Sequence, residues 1–163
     1  MPSRHISRPG LGHDLSLAWR RLSSAIDPTG TEYRLTRWLF LRLLGLVYTV
    51  AFLALALQLQ PLLGSGGLLP VSVYLESASA DGLAWLRLPS LMWISAADGF
   101  MVGLAWTGVL LSVALLLGYA TGIHLLGLWI LYSSFVNVGQ LFYGYGWEIL
   151  LLEAGFLSVF LCP

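Results

Sequence analysis

Long apolar runs, separated by short polar or glycine-rich corners, are the main pattern along this sequence. The first run, residues 38–59, holds a single charge, Arg42. Residues 99–147 are 49 positions without one Asp, Glu, Lys or Arg. A single helix of that length would reach about 74 Å, more than twice the roughly 30 Å hydrocarbon core of a bilayer. The stretch must therefore fold back, and Gly118 and Gly122 mark the hinge.

This hinge predicts two spanning helices, residues 100–117 and 123–140. A fourth candidate span, residues 147–163, follows an aromatic, glycine-rich corner and is near the lower length limit for crossing a membrane. Because this run stops so early, the chain is expected to be a truncated form of a longer protein. The mixed segment 60–98 carries Trp85 and Trp93 and is expected to rest on the membrane interface.

The N-terminal region has a different pattern. Between residues 15 and 26, apolar positions recur at helical spacing while Arg20 and Arg21 lie on the opposite face. This pattern predicts an amphipathic helix lying on a membrane surface. The chain then divides into a cytoplasmic tail, residues 1–30, and a membrane domain, residues 31–163. The fold class is all-α, a multi-pass transmembrane helical bundle with an N-terminal interfacial amphipathic helix.

Composition supports the membrane assignment and sets its orientation. The chain is 58% hydrophobic and 10% charged, whereas about a quarter of the residues of a soluble domain are charged. All eight basic residues are arginines, and seven of them precede residue 43. The positive-inside rule therefore predicts a cytoplasmic N-terminus with Arg34, Arg37 and Arg42 as charge anchors, and this segregation argues against nucleic-acid binding.

In this topology several polar side chains are expected in the non-cytoplasmic half of the bundle, namely Gln58, Gln60, Asn137, Gln140, Glu148 and Glu153. Asn137 and Gln140 are expected on one face at the end of the third span. Glu153 would lie about 9 Å deeper than Trp147, where an ionised carboxylate needs a partner or a proton. A functional role and a structural role for Glu153 both remain open. Glu148 and Glu153 would point about 140° apart, a poor geometry for an acid and base pair.

Several chemistries are excluded or disfavoured. The chain has no lysine for Schiff-base chemistry and a single cysteine, Cys162, so no internal disulfide can form. We expect no catalytic residue, metal site or cofactor.

His124 is interpreted as a hydrogen-bonded packing residue. Gly99 and Gly103 form a G-x-x-x-G pattern, a weak indication of close helix packing.

Four segments resemble the lipase maturation factor family: residues 38–48, 67–70, 139–140 and 146–157. The most specific is Gln140 before the aromatic corner, followed by Trp147-Glu148 and then Leu151-Leu152-Glu153-Ala154-Gly155-Phe156. The resemblance covers about residues 33–163, the N-terminal membrane part of that family.

The resemblance implies a non-enzymatic protein that helps secreted lipases fold or assemble, with the lipid bilayer and a secreted lipase as its partners. It implies the endoplasmic reticulum membrane in a eukaryote and the inner membrane in a bacterium. Because the family is distantly similar to the vitamin K-dependent carboxylase, a carboxylase-like membrane enzyme is one alternative. A purely structural membrane anchor is the other.

Overall fold

The computed structural model describes residues 33–79 and 82–162, and every regular element in these ranges is helical. The helices are α1 (Tyr33–Leu63), α2 (Val71–Ser79), α3 (Ala84–Arg87), α4 (Asp98–Leu117), α5 (Gly122–Val138) and α6 (Gly146–Val159), with a 3-10 turn at Leu91–Trp93. The predicted all-α class is confirmed. The predicted tail and interfacial helix, residues 1–30, lie outside the described residues.

The chain divides into two compact units, residues 1–36 and residues 37–163. The structure describes residues 33–36 of the first unit, and these form the first turn of α1. The predicted boundary between tail and membrane domain stays a prediction.

Helix lengths differ among the predicted spans. Among the described residues, α1 and α4 are the two helices long and apolar enough to cross a membrane by length and composition, while α5 has 17 residues. The 14 residues of α6 reach about 21 Å. This helix ends at Val159 in a tight turn, in which Phe160 donates to the Leu157 carbonyl, so it is shorter than the predicted segment 147–163.

The hinge between α4 and α5 lies where the two glycines predict it. Gly118 has φ +116°, a left-handed conformation that favours glycine, and its N–H closes the last turn of α4 onto Ala114 and Leu115. Thr121 then caps α5 by accepting a hydrogen bond from the His124 N–H. The His124 ring lies 2.7 Å from the Leu111 carbonyl oxygen, as expected of a packing residue that joins two helices.

The core is built around the inner face of α1. The rings of Tyr48, Phe52 and Tyr132 form a cluster with centroids 5.4 to 6.1 Å apart, and all three side chains are fully buried. The Tyr48 hydroxyl donates to the Leu151 carbonyl oxygen at 3.3 Å. This cluster therefore connects α1 with α5 and α6.

Glycines allow three close approaches to this core. A Cβ atom at Gly45 would lie 2.7 Å from the backbone nitrogen of Leu116, and one at Gly108 or Gly155 would collide with Phe52 or Tyr48, respectively. By contrast, nothing lies within 4 Å of the Cβ positions of Gly99 and Gly103. The G-x-x-x-G pattern is thus not the contact surface that its spacing indicates; single glycines on three different helices have that role.

Hydrogen bonds hold the segment between α1 and α4 at two places. Asp98 accepts hydrogen bonds from the backbone N–H and the hydroxyl of Ser65, at 2.8 and 2.6 Å. Ser90 donates to the Ser134 carbonyl oxygen at 2.9 Å, and the Asn137 amide donates to the Pro89 carbonyl oxygen at 2.7 Å. The 3-10 turn is therefore held against α5 by polar side chains.

Replacing Asn137 by alanine is expected to loosen the Pro89 end of this segment, because one hydrogen bond of about 0.5–1.5 kcal/mol is lost. Hydrogen exchange should speed up at residues 88–94 and stay unchanged in α4. The control is Ser133→Ala, since the Ser133 hydroxyl bonds only within its own helix, to Ile130. Equal exchange in the two variants would contradict this role of Asn137.

Candidate functional site around Glu148

Glu148 lies in the first turn of α6 and is 2% exposed. The helix starts at Gly146, directly after the corner of residues 139–145, and this placement turns the third residue of α6 toward the bundle. A carboxylate in the first turn is favoured by the partial positive charge at a helix N-terminus. The local sequence therefore places an acidic side chain inside the protein at the end of a helix.

A cavity of about 280 Å³ adjoins this carboxyl group. Among the described residues, its wall combines five aromatic side chains with one carboxyl and one amide group and contains no Lys, Arg or His. The lining residues are Ala51, Ala54, Leu55, Gln58, Leu62, Tyr132, Phe142, Tyr143, Tyr145, Trp147 and Glu148. The carboxyl group of Glu148 thus adjoins a largely aromatic cavity in which no described lining residue is a cation.

Two buried polar atoms of residues in this wall have no hydrogen-bond partner in the part of the chain that the structure describes. They are Oε2 of Glu148 and the hydroxyl of Tyr132. An unsatisfied buried polar group costs about 1–3 kcal/mol, more when it is charged. Burial, followed by the charge of Glu148, raises the pKa of Tyr143 to about 12, so its hydroxyl is neutral at physiological pH. Glu148 carries the one carboxyl group among the described residues of the cavity wall.

The structure brings only part of the predicted polar cluster together. Gln58, Trp147 and Glu148 share the cavity wall. Asn137 instead binds the Pro89 carbonyl, and the Gln140 amide lies 3.5 Å from the Leu69 carbonyl oxygen, at the limit of a hydrogen bond.

The expectation that Asn137 and Gln140 share a helical face is wrong. The helix α5 ends at Val138, and Gln140 has φ 49°, in the left-handed region. At Gly139 a Cβ atom would collide with the Tyr143 ring, so the chain turns sharply beneath that ring. The tight corner removes Gln140 from the helical register.

The two glutamates also differ from what the sequence indicates. Glu153, expected to need a partner or a proton, is exposed on the outer face of α6, whereas Glu148 is buried. Gly155 is buried against the Tyr48 hydroxyl. The buried positions of α6 are Glu148, Leu151, Gly155 and Ser158, a helical i, i+3, i+7, i+10 spacing that points to Glu148 and excludes Glu153.

Four lining aromatics were not anticipated as site residues: Tyr132, Phe142, Tyr143 and Tyr145. The last three belong to the aromatic corner before α6, and their closeness in sequence could have indicated a shared aromatic site. Tyr132 lies in the middle of an apolar span, and nothing in the sequence distinguishes it there.

The predicted charge anchors have separate environments. Arg34 is exposed and Arg37 is half-buried. The Arg42 guanidinium donates to the Leu116 carbonyl oxygen near the end of α4, and it lies 4.9 Å from the centroid of the Trp38 ring. Arg42 therefore makes structural contacts in addition to carrying a positive charge.

Within residues 33–79 and 82–162, no group of three or more His, Cys, Asp or Glu is arranged to hold a metal ion.

Comparison with known proteins identifies the family. Residues 35–163 match the model of the lipase maturation factor transmembrane domain. The chain belongs to the lipase maturation factor family. It is 41% identical over 165 residues to lipase maturation factor 1 of Bos taurus, and 39% identical over 168 residues to that of Mus musculus. It is 37% identical over 142 residues to lipase maturation factor 2 of Xenopus tropicalis.

These alignments cover most of this chain but a small part of each relative. They include 95%, 96% and 81% of the chain, respectively, against 28%, 28% and 20% of the relatives. No solved structure matches the chain. The chain therefore corresponds to the transmembrane domain of this membrane-associated family, and it spans less than a third of the length of these relatives.

Proposed function

We propose that this protein acts, within its full-length form, as a membrane-embedded maturation factor that assists the folding or assembly of secreted lipases. The observation that carries the proposal is the family match over residues 35–163, together with 41% identity to a protein named for lipase maturation. On this proposal the protein is not an enzyme, and its client is a secreted lipase.

The arginine distribution supports an orientation for this role. Arg34, Arg37 and Arg42 lie in the first third of α1, which favours a cytoplasmic start for this helix. The end of α1, with Gln58, then lies on the lumenal or periplasmic side. A secreted lipase folds on that side, and the Glu148 cavity faces the same end of α1. The compartment we propose is the endoplasmic reticulum in a eukaryote and the inner membrane in a bacterium.

The carboxylase-like alternative loses part of its basis. One reason to consider an enzyme is Glu153 inside the bilayer, and this side chain does not face the interior of the bundle. Glu148 is buried, but the only ionisable groups beside it in the cavity wall are tyrosines. The family match is therefore what favours maturation over catalysis.

Coexpression tests the proposal. The full-length protein should raise the specific activity of a secreted lipase, measured per amount of lipase protein, without changing the lipase message. The comparison variant is the full-length protein with Gly45→Ala, which is expected to destabilise the membrane domain and so to reduce the gain. No gain with several unrelated lipases would contradict the proposal and favour a structural anchor.

A further inference from the structure

We propose that the Glu148 cavity binds a primary ammonium group, and that the headgroup of phosphatidylethanolamine supplies it. This inference rests on the chemistry of the cavity wall and is independent of the role in lipase maturation. It assigns a lipid-headgroup site to the start of α6.

Charge is the first step of the argument. Glu148 is 2% exposed, and the cavity wall contains no basic side chain among the described residues. A carboxylate removed from water without a cation is costly, so a positive partner beside it would be favoured. The cavity next to it has room for such a partner.

Hydrogen bonding selects the kind of cation. Both unpartnered atoms of the wall, Oε2 of Glu148 and the Tyr132 hydroxyl, are oxygens that can accept a hydrogen bond. A primary ammonium group has three N–H donors, so it can pair with more than one oxygen acceptor while it neutralises the charge. A quaternary ammonium group has no N–H donor and would leave both unpaired.

The aromatic residues supply the remaining attraction. A cation within about 6 Å of the centre of an aromatic ring is attracted by the ring, and more strongly when the cation is desolvated. Five of the lining residues are aromatic. Aromatic rings therefore line the space that an ammonium group in this cavity would occupy.

The position of the cavity favours a lipid as the source. Tyr145 is 64% exposed and Trp147 is 50% exposed, so both stand at the mouth, and Gln58 is exposed beside them. Tyr and Trp are enriched where a membrane meets water, at the level of the headgroups. The volume of about 280 Å³ is just below the usual range for drug-sized ligands, about 300–1,000 Å³, and suits a small headgroup.

Calorimetric titration of the full-length protein in a maltoside detergent tests the inference. The probes are dihexanoyl phosphatidylethanolamine, dihexanoyl phosphatidylcholine, ethylammonium chloride and a lysine-containing peptide. We expect the ethanolamine lipid to bind saturably and at least about tenfold more tightly than the choline lipid, which corresponds to about 1.4 kcal/mol. Ethylammonium should compete with the lipid at higher concentration.

Variants connect the binding to the named groups. Glu148→Gln should weaken binding of the ethanolamine lipid at least about tenfold, while Glu153→Gln, the same change on the exposed face of α6, should leave it unchanged. Tyr145→Leu should weaken binding about two- to fivefold, and Tyr145→Phe should retain it because the ring remains. Tyr145 is largely exposed, so this pair does not depend on how well the Glu148 variant folds.

Three results would overturn the inference. The first is equal binding of the two lipids, which would remove the hydrogen-bond argument. The second is no saturable binding of the ethanolamine lipid, or no difference between Glu148→Gln and Glu153→Gln. The third is tight binding of the lysine peptide without lipid binding, which would assign the cavity to a polypeptide. A failed lipase assay with successful lipid titration would contradict the proposed maturation role alone.

Discussion

Replacing Gly45 by alanine is expected to destabilise the bundle by about 1–3 kcal/mol, the usual cost of forcing extra atoms into a packed interior. The new Cβ atom would lie 2.7 Å from the nitrogen and 3.0 Å from the Cα atom of Leu116. These are backbone atoms of α4, and no rotation of a side chain can relieve the overlap. The two helices would have to separate, and the Arg42 hydrogen bond to the same residue, Leu116, would be strained with them.

Gly103→Ala is the matched control for this substitution. Nothing lies within 4 Å of its added Cβ atom, and alanine favours a helix over glycine by about 1 kcal/mol. Thermal unfolding in detergent should therefore show a clear loss of stability for Gly45→Ala, and no loss or a small gain for Gly103→Ala. Equal melting of the two variants would mean that the close approach of α1 to α4 is not formed.

The positions of the four longest helices and of the hinge follow from hydropathy because both depend on local chemistry. The run of 49 uncharged residues exceeds one membrane crossing, and Gly118 can adopt the left-handed conformation that ends α4. The same reasoning located the aromatic corner before α6. These features need no knowledge of which helix contacts which.

The inward faces could not be predicted in the same way. In α4 and α5 nearly every position is apolar, so no polar stripe shows which side is buried. For this reason the G-x-x-x-G pattern at Gly99 indicates a contact that the described residues do not form, while the contacts of the isolated Gly45 and Gly155 carry no sequence pattern. Tyr132 is also buried by contacts with other helices, so the residues next to it in sequence do not indicate that it is buried.

The candidate site shows the same limit. The motif containing Trp147 and Glu148 was visible, but the depth of Glu153 along the helix suggested that it was the carboxylate of interest. The direction of a side chain around a helix matters as much as its depth, and the two glutamates differ by about 140°. The spacing of Glu148 with Leu151 and Gly155 contained that information, because small and apolar residues at helical intervals mark a packed face.

Replacing Arg42 by methionine is expected to cost about 1.5–3 kcal/mol of stability, the range for a hydrogen bond that involves a charged group. Methionine keeps much of the apolar stem but leaves the carbonyl of Leu116, in the last turn of α4, without this donor. The positive charge is also lost from the negative end of the α4 dipole, and the contact with the Trp38 ring is lost as well.

Two further variants separate this contact from the role of Arg42 as a charge anchor. Arg34→Met removes the same charge from an exposed position of α1, so its effect on unfolding in detergent should be within about 0.5 kcal/mol. Arg42→Lys retains the charge without the planar fork of donors, and it should recover only part of the loss. If Arg42→Lys melts like the unchanged protein, the charge alone matters. If Arg34→Met is as unstable as Arg42→Met, the arginines act through net charge and the α1 to α4 hydrogen bond contributes nothing.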